Sequence, residues 1–165
     1  MSNAQLTHLE SLQAFLTARI APARALGVTV AATDPVTISA PLEGNLNDKG
    51  TGFAGSLFSV AALAGWALIT RWCAAADIDA EVALQSSKVR FLAPARGEFR
   101  AIAHELPDKQ REKLARMLTR SGRGRAEVVV DVTCNEALVM SFTGAYAVTA
   151  IPREEMAPEE ILPGE

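Results

Sequence analysis

From residue 51 to residue 70 the chain carries no charged side chain. No other feature restricts the possible folds as strongly. About 20 residues at 1.5 Å each make a helix about 30 Å long, enough to cross a whole sheet. A helix that is apolar all round needs cover all round. Its Ala, Gly and Ser content lets neighbouring backbone come close. The run also reaches the length of a membrane span. Its small residues, and the strand patterns on either side, favour a buried core helix instead. A polar, Gly-rich loop feeds it directly: Asn45-Leu-Asn47-Asp48-Lys-Gly50-Thr51-Gly-Phe53-Ala-Gly55-Ser56. The start of such a helix presents unpaired N–H groups and the positive end of the helix dipole. Beside Asn47, Asp48 and Thr51, that end is a candidate oxyanion site.

The rest of the chain supplies strands for this helix to pack on. Residues 5–20 place Leu6, Leu9, Leu12, Phe15, Leu16 and Ile20 at helical spacing, limited by Pro22. His8 falls off that stripe and is read as solvated. Residues 27–32 and 36–40 alternate as strands across the turn Thr33-Asp34-Pro35. Residues 81–92 read as a long strand ended by Pro94. Period two puts Ala83, Gln85, Ser87, Val89 and Phe91 on one face, read as the core face, with Ser86, Lys88 and Arg90 on the other. Gln85 and Ser87 are then polar groups on a core face. Buried polar groups need partners, so both are either structural hydrogen-bonders or site residues.

Residues 98–106 form another strand, with His104 on its solvent side. A helix from 107 to about 119 carries the narrow stripe Leu114, Met117 and Leu118. Lys109, Arg111, Lys113, Arg116 and Arg120 surround it, and Arg123 and Arg125 follow. Such a face is either a solvated surface or a patch for phosphate groups or an acidic carrier protein. Residues 125–134 and 137–148 read as a hairpin turning at Asn135-Glu136. Strands joined by short turns make an antiparallel sheet, and the long helix is the cover for one face. The class is therefore α+β. Residues 1–150 are read as one domain and 151–165 as an acidic, Pro-rich tail.

Composition narrows the function classes. A net charge of −3 offers no global basic surface for nucleic acid. Two cysteines, Cys73 and Cys134, make no disulfide framework and suit a reducing cytosol. The N-terminus lacks a basic stretch followed by an apolar run, so no signal peptide is read and a cytoplasmic location is expected. No His/Cys/Asp cluster has ligand spacing, so no metal is expected.

The element order, with Asn47-x-x-Gly50-Thr51-x-Phe53-x-Gly55-Ser56-Leu57 and Gly65-Trp66, resembles the hotdog fold of thioesterases and dehydratases. The closer resemblance is to the putative thioesterases of the YiiD C-terminal-domain type. Ser87-x-Val89-x-Phe91-Leu92-x-Pro94 and Gly144-x-Tyr146 add to it, and it covers roughly residues 5–150. It implies an antiparallel sheet wrapped around the central helix. It also implies a homodimer or dimer of dimers whose sheets join, with acyl-thioester sites between subunits. In the phenylacetate-type branch the loop reads Asn-x-x-Gly-x-x-His-Gly-Gly. Asn47 and Gly50 match, Phe53 stands in place of the His, and Gly55 matches the second Gly. By that match the Gly55 N–H donates to the thioester carbonyl. Two departures mark this chain: the helix acid of that branch is Ala62 here, and the loop Asp of another branch is Asn47.

Two functions follow as expectations. The first is hydrolysis of an acyl-CoA or acyl-carrier-protein thioester, with coenzyme A as part of the substrate and no separate cofactor. Hydrolysis needs a polarised carbonyl and an activated water. Gly55 serves the first and Asp48, as general base, the second. Asn45 or Asn47 positions the water, and Ser87 from the neighbouring subunit completes the polar set. Thr51, Phe53, Ser56, Gln85 and Ser86 are assigned to substrate binding, with Arg120, Arg123 and Arg125 for phosphate or a carrier. Ser56 is not read as a nucleophile, because no His lies near it and its context fits helix capping. The second function, prompted by the missing carboxylate, is a non-catalytic module that holds an acyl thioester or fatty acyl group.

Overall fold

The computed structural model describes residues 6–152. The chain runs α1 (Leu9–Arg19), α2 (Ala21–Ala25), β1 (Thr29–Thr33), β2 (Val36–Ala40), α3 (Ala54–Ala75), β3 (Ala80–Phe91), β4 (Phe99–Ala103), α4 (Asp108–Ser121), β5 (Arg123–Cys134) and β6 (Ala137–Ala150). The strands form one antiparallel sheet in the order β1-β2-β4-β5-β6-β3, with α3 packed against it. This is the α+β arrangement expected from the sequence. The tail assigned to 151–165 lies almost wholly outside the described residues.

Local chemistry explains the elements. The β5–β6 hairpin turns at Asn135 and Glu136, both with positive φ (50° and 66°), as a two-residue hairpin requires. Pro22 does not simply stop the first helix. α1 ends at Arg19, and Pro22 sits in the first turn of α2, where its missing N–H costs nothing. Leu12 and Leu16 are buried as expected, while Leu9, which was placed on the same stripe, is exposed.

The expected phase of β3 holds for only half the strand. A bulge between Leu84 and Ser86 shifts the register. Before it, Val82 and Leu84 pack against the core, so Ala83 and Gln85 lie on the other face. After it, Ser87, Val89 and Phe91 share the α3 face. One extra residue swaps the faces because side chains alternate with period two. Gln85 and Ser87 are both exposed, not buried.

α3 packs across β2 to β6, and at one point it comes especially close to β6. Tyr146 is fully buried, and its hydroxyl donates to the Ala62 carbonyl at 2.8 Å. It fits because Gly65 has no side chain. A Cβ there would lie 2.8 Å from Tyr146 Cζ and 2.9 Å from Cε2. Phe58 meets Phe142 edge-on at 5.7 Å. At the far end Arg71, the first charge after the apolar run, donates to the Thr33 and Thr7 carbonyls. The stretch is long and apolar enough to span a membrane, but 61% of it is buried inside the fold.

Two exposed strand margins are covered by helices. Gln13 of α1 donates to Val28 O and accepts from Val30 N–H, which caps the β1 edge. β4 ends before β5 does, and Gln110 of α4 accepts the Glu127 N–H there at 3.0 Å. β3 has a strand neighbour on one side only.

Two outcomes are expected. Gly65→Ala overpacks the helix–sheet contact and should lower stability by about 1–3 kcal/mol, read as a fall in the urea midpoint. Burial also pushes the Cys73 thiol up to about 11 and the Tyr146 phenol above its ordinary value. Folding therefore favours the protonated forms. Their contribution is complete below about pH 9 and is lost as pH rises through the folded values, because the unfolded chain releases these protons first. Urea midpoints should be flat between pH 7 and 8.5 and fall above pH 9.

Candidate active site

Loop 45–53 is held rigid by two asparagines before α3 begins. Asn47 Oδ1 accepts the N–H of Lys49 (2.9 Å) and Thr51 (3.1 Å), and its Nδ2 donates to Thr51 Oγ1 (2.9 Å) and Gly52 O (3.4 Å). This is an Asx turn closed from both ends. Gly50, at φ +70°, makes the reversal. The Asn45 Nδ2 donates to Leu26 O and Pro41 O, both at 2.9 Å. Its Oδ1 is buried without a partner among the described residues. The backbone adds Phe53 N–H to Asn45 O at 2.7 Å and Gly52 N–H to Ala95 O at 2.8 Å.

α3 starts at Ala54, with Phe53 as N-cap and no side-chain cap. Ser56, expected to cap, is instead buried in the first turn. The Phe53 carbonyl accepts the N–H of Ser56 and Leu57. The N–H groups of Ala54 and Gly55 have no acceptor among the described residues. The Phe53 ring folds over Gly55, and a Cβ on Gly55 would lie 3.1 Å from its Cδ1 and Cζ. Gly55 thus lets an aromatic ring lie across the helix start.

The remaining candidates fall into three places. Asp48 stands at the loop tip, 78% exposed, with its carboxylate 3.0 Å from Lys49 Nζ. Thr51 is buried under the loop. Asn47, Thr51, Gly52, Ala54 and Leu57 face Phe91–Ala95 across a cavity of about 350 Å³. Ser87 lies on the α3 face of β3, register partner of Gly144. Ser86 and Arg125 meet on the opposite face, where Arg125 Nη2 donates to Ser86 Oγ at 3.3 Å. Arg120 and Arg123 are exposed and close to Arg125 in sequence, at the end of α4 and the start of β5. His104 is also exposed and pairs with Asp131 at 2.8 Å. Among the described residues no cluster of three His, Cys, Asp or Glu could hold a metal.

Sequence reasoning missed a second cavity. About 280 Å³ of apolar space lies beside α3, lined by Ile20, Leu26, Phe58, Leu63, Trp66 and Leu84, with Pro22, Ser59, Ala62 and Tyr146. The helix was expected to be covered on every side. Phe58, Ser59, Ala62, Leu63 and Trp66 are instead only half-buried, and they form one open stripe. Their spacing was visible, but nothing in a uniformly apolar run says which side stays open.

The family model for "Putative thioesterase (yiiD_Cterm)" matches residues 9–150. The chain belongs to this family. Solved structures share the fold. A protein of unknown function from Chlorobaculum tepidum superposes with a TM-score of 0.80 at 23% identity, covering 85% of this chain and 93% of the other. A putative thioesterase from Shewanella oneidensis gives 0.77 at 25% identity, covering 87% and 97%. A thioesterase from Haemophilus influenzae gives 0.65 at 15% identity, covering 93% and 95%. The fold is that of the hotdog thioesterases, as the loop–helix motif implied.

Proposed function

We propose that this YiiD_C-family chain hydrolyses acyl thioesters of coenzyme A or of an acyl-carrier protein. The observation that carries the reading is the pair of unengaged N–H groups, on Ala54 and Gly55, at the start of a 22-residue helix. Preorganised donors of this kind stabilise the oxyanion that forms when a thioester carbonyl is attacked. Asp48 takes a proton from water, and the hydroxide adds to the carbonyl carbon. The tetrahedral oxyanion sits on the Gly55 N–H. Collapse breaks the C–S bond, and the leaving thiolate takes the proton back from Asp48. Asn45 Oδ1 is the acceptor left over for a water in this loop, since both ends of the Asn47 amide are engaged. Thr51 and Phe53 line the approach.

The reading includes a pair of copies. β3 is a 12-residue strand with an open edge, whereas the β1 edge is capped by Gln13. Open edges pair with other strands. Leu46, Phe53, Phe91 and Leu92 are large apolar residues exposed at the same end of the molecule. Joining β3 to its copy would cover this surface and bring Ser87 of the second copy toward the site, with Gln85 at the bulge. Ser86, Arg120, Arg123 and Arg125 then serve the phosphates or an acidic carrier. We place this dimer, or a dimer of dimers, in the cytoplasm.

One observation favours a second reading, a module that holds an acyl thioester without cleaving it. Asp48 is exposed and paired with Lys49, and the helix position that is acidic in a related branch is the methyl of Ala62.

Thiol release from a panel of acyl-CoAs separates the two. Asp48→Ala should lower kcat by about 10²- to 10⁴-fold, the usual worth of a general base. Full turnover in the variant would move the base elsewhere, and no turnover in the wild type would favour the binding module. Charge reversal at Arg120, Arg123 and Arg125 should raise KM for CoA esters several-fold at low salt, less as ionic strength rises. An unchanged KM at low salt returns these residues to ordinary surface.

A further inference from the structure

We propose that α4 carries a docking surface for the chain's own acidic segment, residues 153–165, which shields this basic face until a phosphate-bearing ligand displaces it. Those residues lie outside the described part of the chain, and their sequence is Arg-Glu-Glu-Met-Ala-Pro-Glu-Glu-Ile-Leu-Pro-Gly-Glu. The docking rests on α4 itself. Only the shielding rests on the phosphate role proposed above for Arg120 and Arg123.

The cations of α4 fall in a row. Lys109, Lys113, Arg116 and Arg120 follow one another at spacings of four, three and four residues, which puts them on one face of the helix. All four are exposed, and the buried Leu114 and Leu118 lie on the far side. Like charges at these spacings destabilise a helix. The row has little compensation of its own. Arg116 has Glu112 at 3.7 Å, while Lys109, Lys113 and Arg120 have no ion pair among the described residues. Arg123, at the start of β5, continues the row and is likewise without one. A polyanion laid along this face offsets the repulsion.

The chain leaves the fold beside the end of this row. The Ala150 N–H donates to the carbonyl of Gly122, the C-cap of α4, at 2.8 Å, and Thr149 pairs with Arg123. The other neighbour of the exit is acidic. The Ile151 N–H donates to Asp79 O at 2.8 Å, and Asp79 stands between Asp77 and Glu81 in the sequence. Five glutamates against one arginine give residues 153–165 a side-chain charge of −4. Like charge turns them from the start of β3, and opposite charge draws them to α4.

The lengths agree. Arg120 and Lys109 are 11 residues apart, about 17 Å along the helix axis. Glu154-Glu155 and Glu159-Glu160 are five residues apart, about 17 Å of extended chain. Pro158 and Pro163 oppose a helix in this segment. The proposed path runs back along α4, with the first glutamate pair at Arg120 and Arg116 and the second at Lys113 and Lys109. Single exposed ion pairs are weak. A tether anchored beside Gly122 makes up for that with an effective concentration on the order of millimolar.

Carbodiimide cross-linking of the full chain tests the docking, because it joins a lysine amine to a carboxylate only where the two are in contact. At low salt, amide links should join Lys109 or Lys113 to Glu159 or Glu160, read as linked peptides by mass spectrometry. Salt at about 1 M should largely abolish them. No such links at low salt, or links that persist unchanged at high salt, overturn the docking. Chains of light and heavy nitrogen, unfolded and refolded together, identify the donor of the segment. Links joining light to heavy peptides make this face a contact between copies and overturn the proposal. The shielding is read without turnover, from the Kd for adenosine 3′,5′-bisphosphate, the nucleotide end of coenzyme A. With Glu154→Gln, Glu155→Gln, Glu159→Gln and Glu160→Gln combined in the full chain, the Kd should fall several-fold at low salt. An equal Kd overturns the shielding. Binding to neither protein fails the phosphate assignment above, and the links alone then decide the docking. Absence of acyl-CoA turnover fails the hydrolase alone, since neither readout depends on it.

Discussion

The approach of α3 to β6 is the contact on which the rest depends. Gly65 removes the side chain that would hold helix and sheet apart, and Tyr146 fills the space, with its hydroxyl on the Ala62 carbonyl. A buried phenol needs a partner, and a helix carbonyl supplies one only at short range. The same contact fixes where α3 lies along the sheet. It thereby helps set which side of the helix has no cover.

The loop before α3 works as a frame. Asn47 closes the turn with four hydrogen bonds, and Asn45 ties it to the Leu26 and Pro41 carbonyls. Little of this polarity is left for a ligand. What the frame presents is backbone, the Ala54 and Gly55 N–H groups, in a position that no side-chain rotation can alter. Preorganised dipoles stabilise a developing charge without reorganising at the moment of reaction. That makes the asparagines positioning groups and gives the helix start the electrostatic part of the proposed chemistry.

The molecule divides its surface by how it treats apolar and edge groups. Gln13 and Gln110 blunt two strand margins with single side-chain amides. The β3 edge and the apolar residues around the start of α3 are left uncovered, next to the loop. The stripe of α3 nearest α2 is open as well. A protein that covers some edges and leaves others beside its candidate site concentrates its unsatisfied surface where binding is proposed.

Much of this was legible from one dimension. The charge-free run, the Asn/Gly loop, the Asn135-Glu136 hairpin and the Leu114/Leu118 stripe are local patterns, and local backbone chemistry produces them wherever they occur. They were enough to set the order of elements and the α+β class, and to mark the loop–helix junction as the place to look. Three features needed the tertiary structure. The bulge after Leu84 exchanges the faces of β3, because its register is settled by pairing with β6 and not by its own alternation. The open side of α3 depends on which neighbours pack against it, and a helix with apolar residues all round carries no signal of that choice. The division of labour between Asn45 and Asn47 turns on the carbonyl of Leu26, 19 residues back in the sequence, together with that of nearby Pro41. The sequence alone determined what the chain could bury and where it must turn. Packing decided which polar atoms were left over, since a hydrogen bond between distant residues exists only once the fold has brought them together.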